Sequence, residues 1–169
     1  VIASLRGNLD TRIKKIYTEG LDGIVVAAAG VKRLCLEENI TEYIDPQISI
    51  PAIGQGALAI EIRKGDDEVE EMIKKLDHKE SHTAVFAERA FLKRLEGGCQ
   101  TPIAAHGIIN EDDIVLYGMI ADVEGSEIIR DQITGKGEDG ETLGVELAER
   151  LLKSGGSRIL EEIYKAGNQ

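Results

Sequence analysis

The sequence predicts a mixed α/β protein in two parts: a parallel α/β unit, then a small α+β unit with a three-stranded antiparallel sheet and helices. Three observations predict it. Short apolar runs alternate with helical patterns over the first fifty residues. Three strand-like runs separated by turn residues occupy 102–134 and are followed by two helical patterns. The charge is also uneven: residues 1–64 hold eight Lys/Arg and eight Asp/Glu, whereas residues 65–169 hold twelve and twenty-three, so the whole net charge of −11 belongs to the second part. Such asymmetry points to two units with different tasks.

In chain order, VIASL (1–5) is a β-prone run and RGN (6–8) a glycine turn. Asp10 is placed to cap a helix carrying Ile13 and Ile16 on one side, and Gly20 to end it. GIVVAA (23–28) is a continuous apolar run, as a strand buried on both faces requires. After Gly30, VKRLCLEE reads as helix. DPQISIPAIGQG (45–56), with two prolines and two glycines, is a connector, and ALAIEIR (57–63) alternates Leu58, Ile60 and Ile62 as a strand does. KGDDEVEEMIKKLD (64–77) reads as a turn and a solvated helix, with the unit boundary near 65–78. A long helix follows from about His82 to Glu96, with Val85, Phe91, Leu92 and Leu95 on its apolar side and Gly97–Gly98 at its end. Strands are expected at 102–109, 114–122 and 127–134, with hairpin turns at NEDD (110–113) and EGS (124–126). Helices at 141–153 and about 157–165, joined by SGG, close the chain.

Composition narrows the function. With 42% apolar residues, no tryptophan and two phenylalanines, the core must be aliphatic. The longest apolar run, Ile24–Ala29, is too short to span a bilayer. The net negative charge argues against nucleic acid or an anionic membrane as partner. Cys35 and Cys99 make no disulfide framework, and no leader pattern opens the chain, so a reduced, cytoplasmic setting is expected. The chain opens on Val1 inside a strand-like run, so it is expected to be a piece of a longer protein.

Candidate chemistry concentrates in two places. Arg6 follows the first strand-like run, Arg12 lies in the first turn of the next helix, and Arg33, beside Lys32, follows the second run. In parallel α/β sheets, ligands bind beyond the carboxyl ends of strands, where helix N-termini attract anions. Three arginines there suit a polycarboxylate, because the guanidinium fork matches carboxylate geometry; solvated surface arginines are the plainer alternative. Gln55 and Gly56, in IGQGAL, permit close backbone approach to a ligand, though a simple tight turn reads equally well. Cys99, in LEGGCQTP, follows a helix C-terminus, whose partial negative charge disfavours a thiolate. A buried inert thiol is the default for a lone cysteine; a reactive one needs cations from elsewhere, for which the arginines are the source. His78, His82 and His106 lack metal spacing.

SLRGNLDTRIKKI (4–16), AAAGVKRLCLE (27–37), PAIGQGALAIEIR (51–63), AVFAERAFLKRLEGGCQTPIAAHG (84–107) and IIRDQITG resemble the porphobilinogen deaminase (hydroxymethylbilane synthase) family. The resemblance runs along nearly the whole chain. It implies a transferase of haem and other tetrapyrrole biosynthesis that condenses four porphobilinogen units into hydroxymethylbilane, releasing ammonia at each step. It also implies a dipyrromethane cofactor joined by a thioether to Cys99. By the same resemblance, Arg6, Arg12 and Arg33 hold cofactor carboxylates, and main chain at Ala27, Gln55 and Gly56 contacts cofactor or substrate. The implied architecture places 1–52 in the latter half of a second, periplasmic-binding-protein-like domain, 53–69 in a strand returning to a first domain plus linker, and 70–169 in a third domain bearing the cysteine. No residue here matches the family's catalytic aspartate, so this chain alone is expected to be inactive; the whole enzyme is expected to be a monomer. Cys35 and Ala104 stand where the family often has glycine. The alternative reading is a non-enzymatic anion-binding module of periplasmic-binding type that leaves Cys99 idle.

Overall fold

The computed structural model describes residues 2–96 and 101–167, and the chain divides into two compact units, 1–44 and 45–169. The mixed α/β class holds. In order come helices α1 (Leu9–Thr18), α2 (Ala28–Arg33), α3 (Asp67–Ile73) and α4 (Lys79–Arg94), strands β1 (Ile103–Asn110), β2 (Asp113–Ala121) and β3 (Ile128–Lys136), and helices α5 (Gly140–Leu151) and α6 (Ser157–Gly167).

In the first unit, α1 is capped by Asn8, not by the expected Asp10. The Asn8 side chain accepts the Thr11 N–H at 3.0 Å and the Thr11 hydroxyl at 2.6 Å, while Asp10 sits in the first turn. Gly7, at φ +128°, turns the chain into this cap two residues earlier than a cap at Asp10 allows. Gly20, at φ +64°, ends the helix as expected, and the Leu21 N–H returns to the Ile16 carbonyl at 3.0 Å. Leu9 packs toward Gly30, and Val31 is the buried centre of this unit. The helix predicted from Val31 onward instead begins at Ala28 and stops at Arg33. Cys35 adopts φ +53°, which no helix continues, and a single 3₁₀ turn (Glu37–Asn39) follows.

The strands expected at 1–5, 23–28 and 57–63 form no ladder among the described residues. A strand is made by its neighbour's hydrogen bonds, and none is provided here. Several of their apolar side chains are correspondingly bare: Ile2, Val25, Leu58 and Ile60 are exposed.

The second unit follows its pattern closely. The three strands form one antiparallel meander, order β1–β2–β3, in which His106 lies opposite Tyr117 and Tyr117 opposite Gln132. Alternation then sends Ile114, Leu116 and Ile120 to one face, where they join Phe91 and Leu95 of α4, Leu147 and Leu151 of α5 and Ile159 of α6 in an aliphatic core. Burial of these side chains, each contributing about 1.5–3 kcal/mol, is what holds helices to sheet. Glycines set the spacing. A Cβ on Gly118 would stand 2.9 Å from the Phe91 ring, and one on Gly144 would stand 2.9 Å from the Phe91 backbone nitrogen. The turn between β2 and β3 is closed by Asp122, whose carboxylate accepts the Ser126 N–H at 2.8 Å and the Ser126 hydroxyl. That pairing holds the Asp122 carboxyl below its ordinary range. No helix among the described residues is long and apolar enough to cross a membrane.

Candidate functional site

Arg6, Arg12, Arg33 and Ala27 all belong to the first unit. Arg6 is exposed on the segment entering α1. Arg12 lies one turn into α1 and donates from Nε to the Gly7 carbonyl at 2.8 Å, which orients the guanidinium back toward the turn that holds Arg6. Arg33 is the last residue of α2, rather than lying in a first helical turn, and is exposed; Ala27 is the N-cap of the same helix.

Among the described residues none of these three arginines pairs with a carboxylate. Arg94, Arg150 and Arg158 of the second unit do, through Glu149, Asp131 and both Glu127 and Glu162. In a chain with 31 acidic residues, three guanidinium groups left without an acidic partner are available to an anionic ligand. A polycarboxylate ligand therefore fits the donor set of this unit. Lys32, alongside Arg33, is instead placed over the Tyr43 ring at 5.1 Å.

Gln55 and Gly56 belong to the second unit. They sit in a tight reversal closed by Gln55 N–H to Ala52 carbonyl (2.9 Å) and Ala57 N–H to Gly54 carbonyl (3.0 Å), with Gly54 at φ +68° and Gly56 at φ +86°. Both glycines are thus demanded by backbone geometry. Gln55 and Gly56 are exposed. Cys99 lies outside the described residues. α4, which leads toward it, is anchored through Phe91 and Leu95.

One residue of this neighbourhood is missed by reading the sequence. Glu88, 4% exposed, is the one buried charged side chain among the described residues. Its Oε2 accepts the Gly54 N–H at 2.7 Å and its Oε1 the Gly107 N–H at 2.9 Å; His106 Nδ1 stands 3.7 Å from Oε1. The available signal was position: Glu88 is four residues after Ala84 and three before Phe91, on the apolar stripe of α4. A shallow cavity of about 310 Å³, lined by Gln47, Ile50, Tyr117, Arg130, Asp131 and Gln132, contains none of the expected site residues. The described residues hold no cluster of metal-ligating side chains, and none of the three histidines is part of one.

Two domain models cover most of the chain. Residues 1–71 match the porphobilinogen deaminase dipyromethane cofactor binding domain, and residues 82–153 match the porphobilinogen deaminase C-terminal domain. The architecture is thus that of a multidomain protein with a cofactor-binding part and a separate C-terminal part. Among similar proteins, a porphobilinogen deaminase of Pelobacter propionicus is 52% identical over 164 residues, covering 97% of this chain and 53% of the relative. Those of Trichlorobacter lovleyi and Geobacter sulfurreducens are 50% and 48% identical over 161 residues, covering 95% of this chain and 52% and 51% of the relatives. The chain belongs to the porphobilinogen deaminase family. It spans about half the length of the curated relatives it matches.

Proposed function

We propose that the family-length protein containing this chain condenses porphobilinogen into hydroxymethylbilane with release of ammonia. In this reading it is a cytoplasmic, monomeric transferase of tetrapyrrole biosynthesis. The observation that carries this reading is that the stretch matching a dipyrromethane-binding domain holds three arginines with no acidic partner among the described residues. Bound dipyrromethane supplies the primer on which pyrrole units are joined. Arg6, Arg12 and Arg33 hold its acidic side chains, and of these Arg12 is pre-oriented by the Gly7 carbonyl. Main chain at Ala27, Gln55 and Gly56 supplies uncharged contacts, and Cys99 is the covalent anchor. The domain division 1–52, 53–69 and 70–169 is part of the same proposal, with 57–63 completing a sheet in the family-length protein. The acid that manages protons during condensation is not assigned to any residue of this chain, so the 169 residues alone are expected not to consume porphobilinogen.

Intact-mass measurement of the family-length protein tests the anchor. A dipyrromethane adduct, coloured by Ehrlich's reagent and lost in Cys99→Ser, is expected. An adduct that survives Cys99→Ser removes Cys99 from the proposal. An unmodified, fully titratable thiol in active protein overturns the cofactor reading as a whole.

A further inference from the structure

We infer that Glu88 is a positioning residue for the proposed reaction, fixing where the Gly54–Gly56 turn stands relative to α4 and β1. The inference rests on the reading that main chain at Gln55 and Gly56 contacts cofactor or substrate. The turn is already closed by its own two hydrogen bonds, Gln55 to Ala52 and Ala57 to Gly54. Glu88 is therefore not needed to form it. What the carboxylate adds is location: one oxygen takes the Gly54 N–H at 2.7 Å and the other takes the Gly107 N–H of β1 at 2.9 Å. A single side chain on α4 thereby ties together three segments far apart in sequence.

The chemistry supports placement over packing. Burying a carboxylate is costly, and an apolar side chain of similar size would fill the same space more cheaply. The cost is tolerated where the charge meets donors that have no other partner, and two backbone N–H groups are such donors. Close approach is built in as well. A Cβ on Gly107 would stand 3.1 Å from Ala84 Cβ, tighter than an ordinary contact, so glycine eases the approach of β1 and its N–H to this point on the helix. Gly54, at φ +68°, aims its own N–H into the same carboxylate. Glutamine at 88 would keep one acceptor but oppose an NH₂ to an N–H, so the isosteric change displaces one tie while leaving the volume intact.

The test uses the family-length holoenzyme. Glu88→Gln is expected to raise KM for porphobilinogen by about tenfold, the equivalent of one charge-assisted hydrogen bond, with a smaller change in kcat. Leu147→Val, a core substitution remote from the turn in sequence, serves as a control of matched thermal stability and should leave KM unchanged. An unchanged KM in folded Glu88→Gln overturns the inference. If that variant does not fold, amide exchange in the unaltered holoenzyme decides: Gly54 and Gly107 should exchange far more slowly than Gly56, whose N–H makes neither of the turn's closing bonds, and rapid exchange at Gly54 overturns it. Gly56→Ala separates the underlying reading, because it distorts the turn itself. Unchanged KM there means the turn does not serve the site, whereas raised KM there with unchanged KM in Glu88→Gln defeats the Glu88 inference alone.

Discussion

The Glu88 carboxylate and the Gly54 N–H meet at 2.7 Å across thirty-four positions of sequence, joining the middle of α4 to the connector that precedes it. Removing the acid altogether leaves two backbone donors without their acceptor. Glu88→Ala is expected to destabilise the second unit by about 3 kcal/mol, read as a lowered urea midpoint. A change under about 0.5 kcal/mol, ordinary for a surface site, would mean that water replaces the carboxylate freely.

The arginines of the first unit should behave in the opposite way. Arg6 and Arg33 are exposed, and none of the three pairs with a carboxylate among the described residues. Arg6→Ala, Arg12→Ala and Arg33→Ala in the family-length protein are each expected to weaken cofactor or substrate binding by about 1.5–3 kcal/mol. Thermal stability should change little. The corresponding lysine substitutions restore charge but not the two-pronged geometry, so they should recover only part of the loss. Equal loss of melting temperature and of binding would assign these side chains to folding instead.

Gly144 lies where α5 meets α4, and a Cβ there would stand 2.9 Å from the Phe91 backbone nitrogen. Alanine gains helix propensity worth about 1 kcal/mol but forces rigid backbone apart, an overpacking cost of about 1–3 kcal/mol. The second effect wins because no flexible side chain can yield. Gly144→Ala should therefore lower the melting temperature; a rise would show that the two helices separate without cost.

Asp122 gives a pH dependence of known sign. Its hydrogen bonds to Ser126 hold the folded carboxyl below the ordinary value. The turn's contribution is consequently complete above the unfolded carboxylate range, about pH 4, and is lost as pH falls through the lower, folded value. The Ser126 amide resonance, followed by NMR, should shift only in that acidic window, and Asp122→Asn should abolish the shift. Movement of that resonance near neutral pH would assign it to another group.

The second unit was readable because its pairing is local. In a meander each strand's partner is the next strand, so alternation of Ile114, Leu116 and Gly118 and the turns at 111–112 and 122–127 fix the arrangement within one stretch of sequence. The apolar runs at 1–5, 23–28 and 57–63 carry the composition of strands, but ladders between them depend on partners that local sequence does not name. The helix cap moved from Asp10 to Asn8 because both residues suit the role, and the left-handed Gly7 decided between them. The arginines could be singled out by position along the chain, but their lack of acidic partners could not, since ion pairing joins residues distant in sequence. Glu88 escaped notice because its neighbours Arg89, Lys93 and Arg94 make the stretch look solvated, while helical periodicity places the acid alone on the inner face.

The Asp122–Ser126 closure has a practical corollary. That loop keeps its shape with bonds made inside itself, and Val123 at its tip is 67% exposed. A short epitope grafted between Glu124 and Gly125 would hang from a self-supporting frame, giving a handle for immobilisation or detection that leaves the strands beneath it in register.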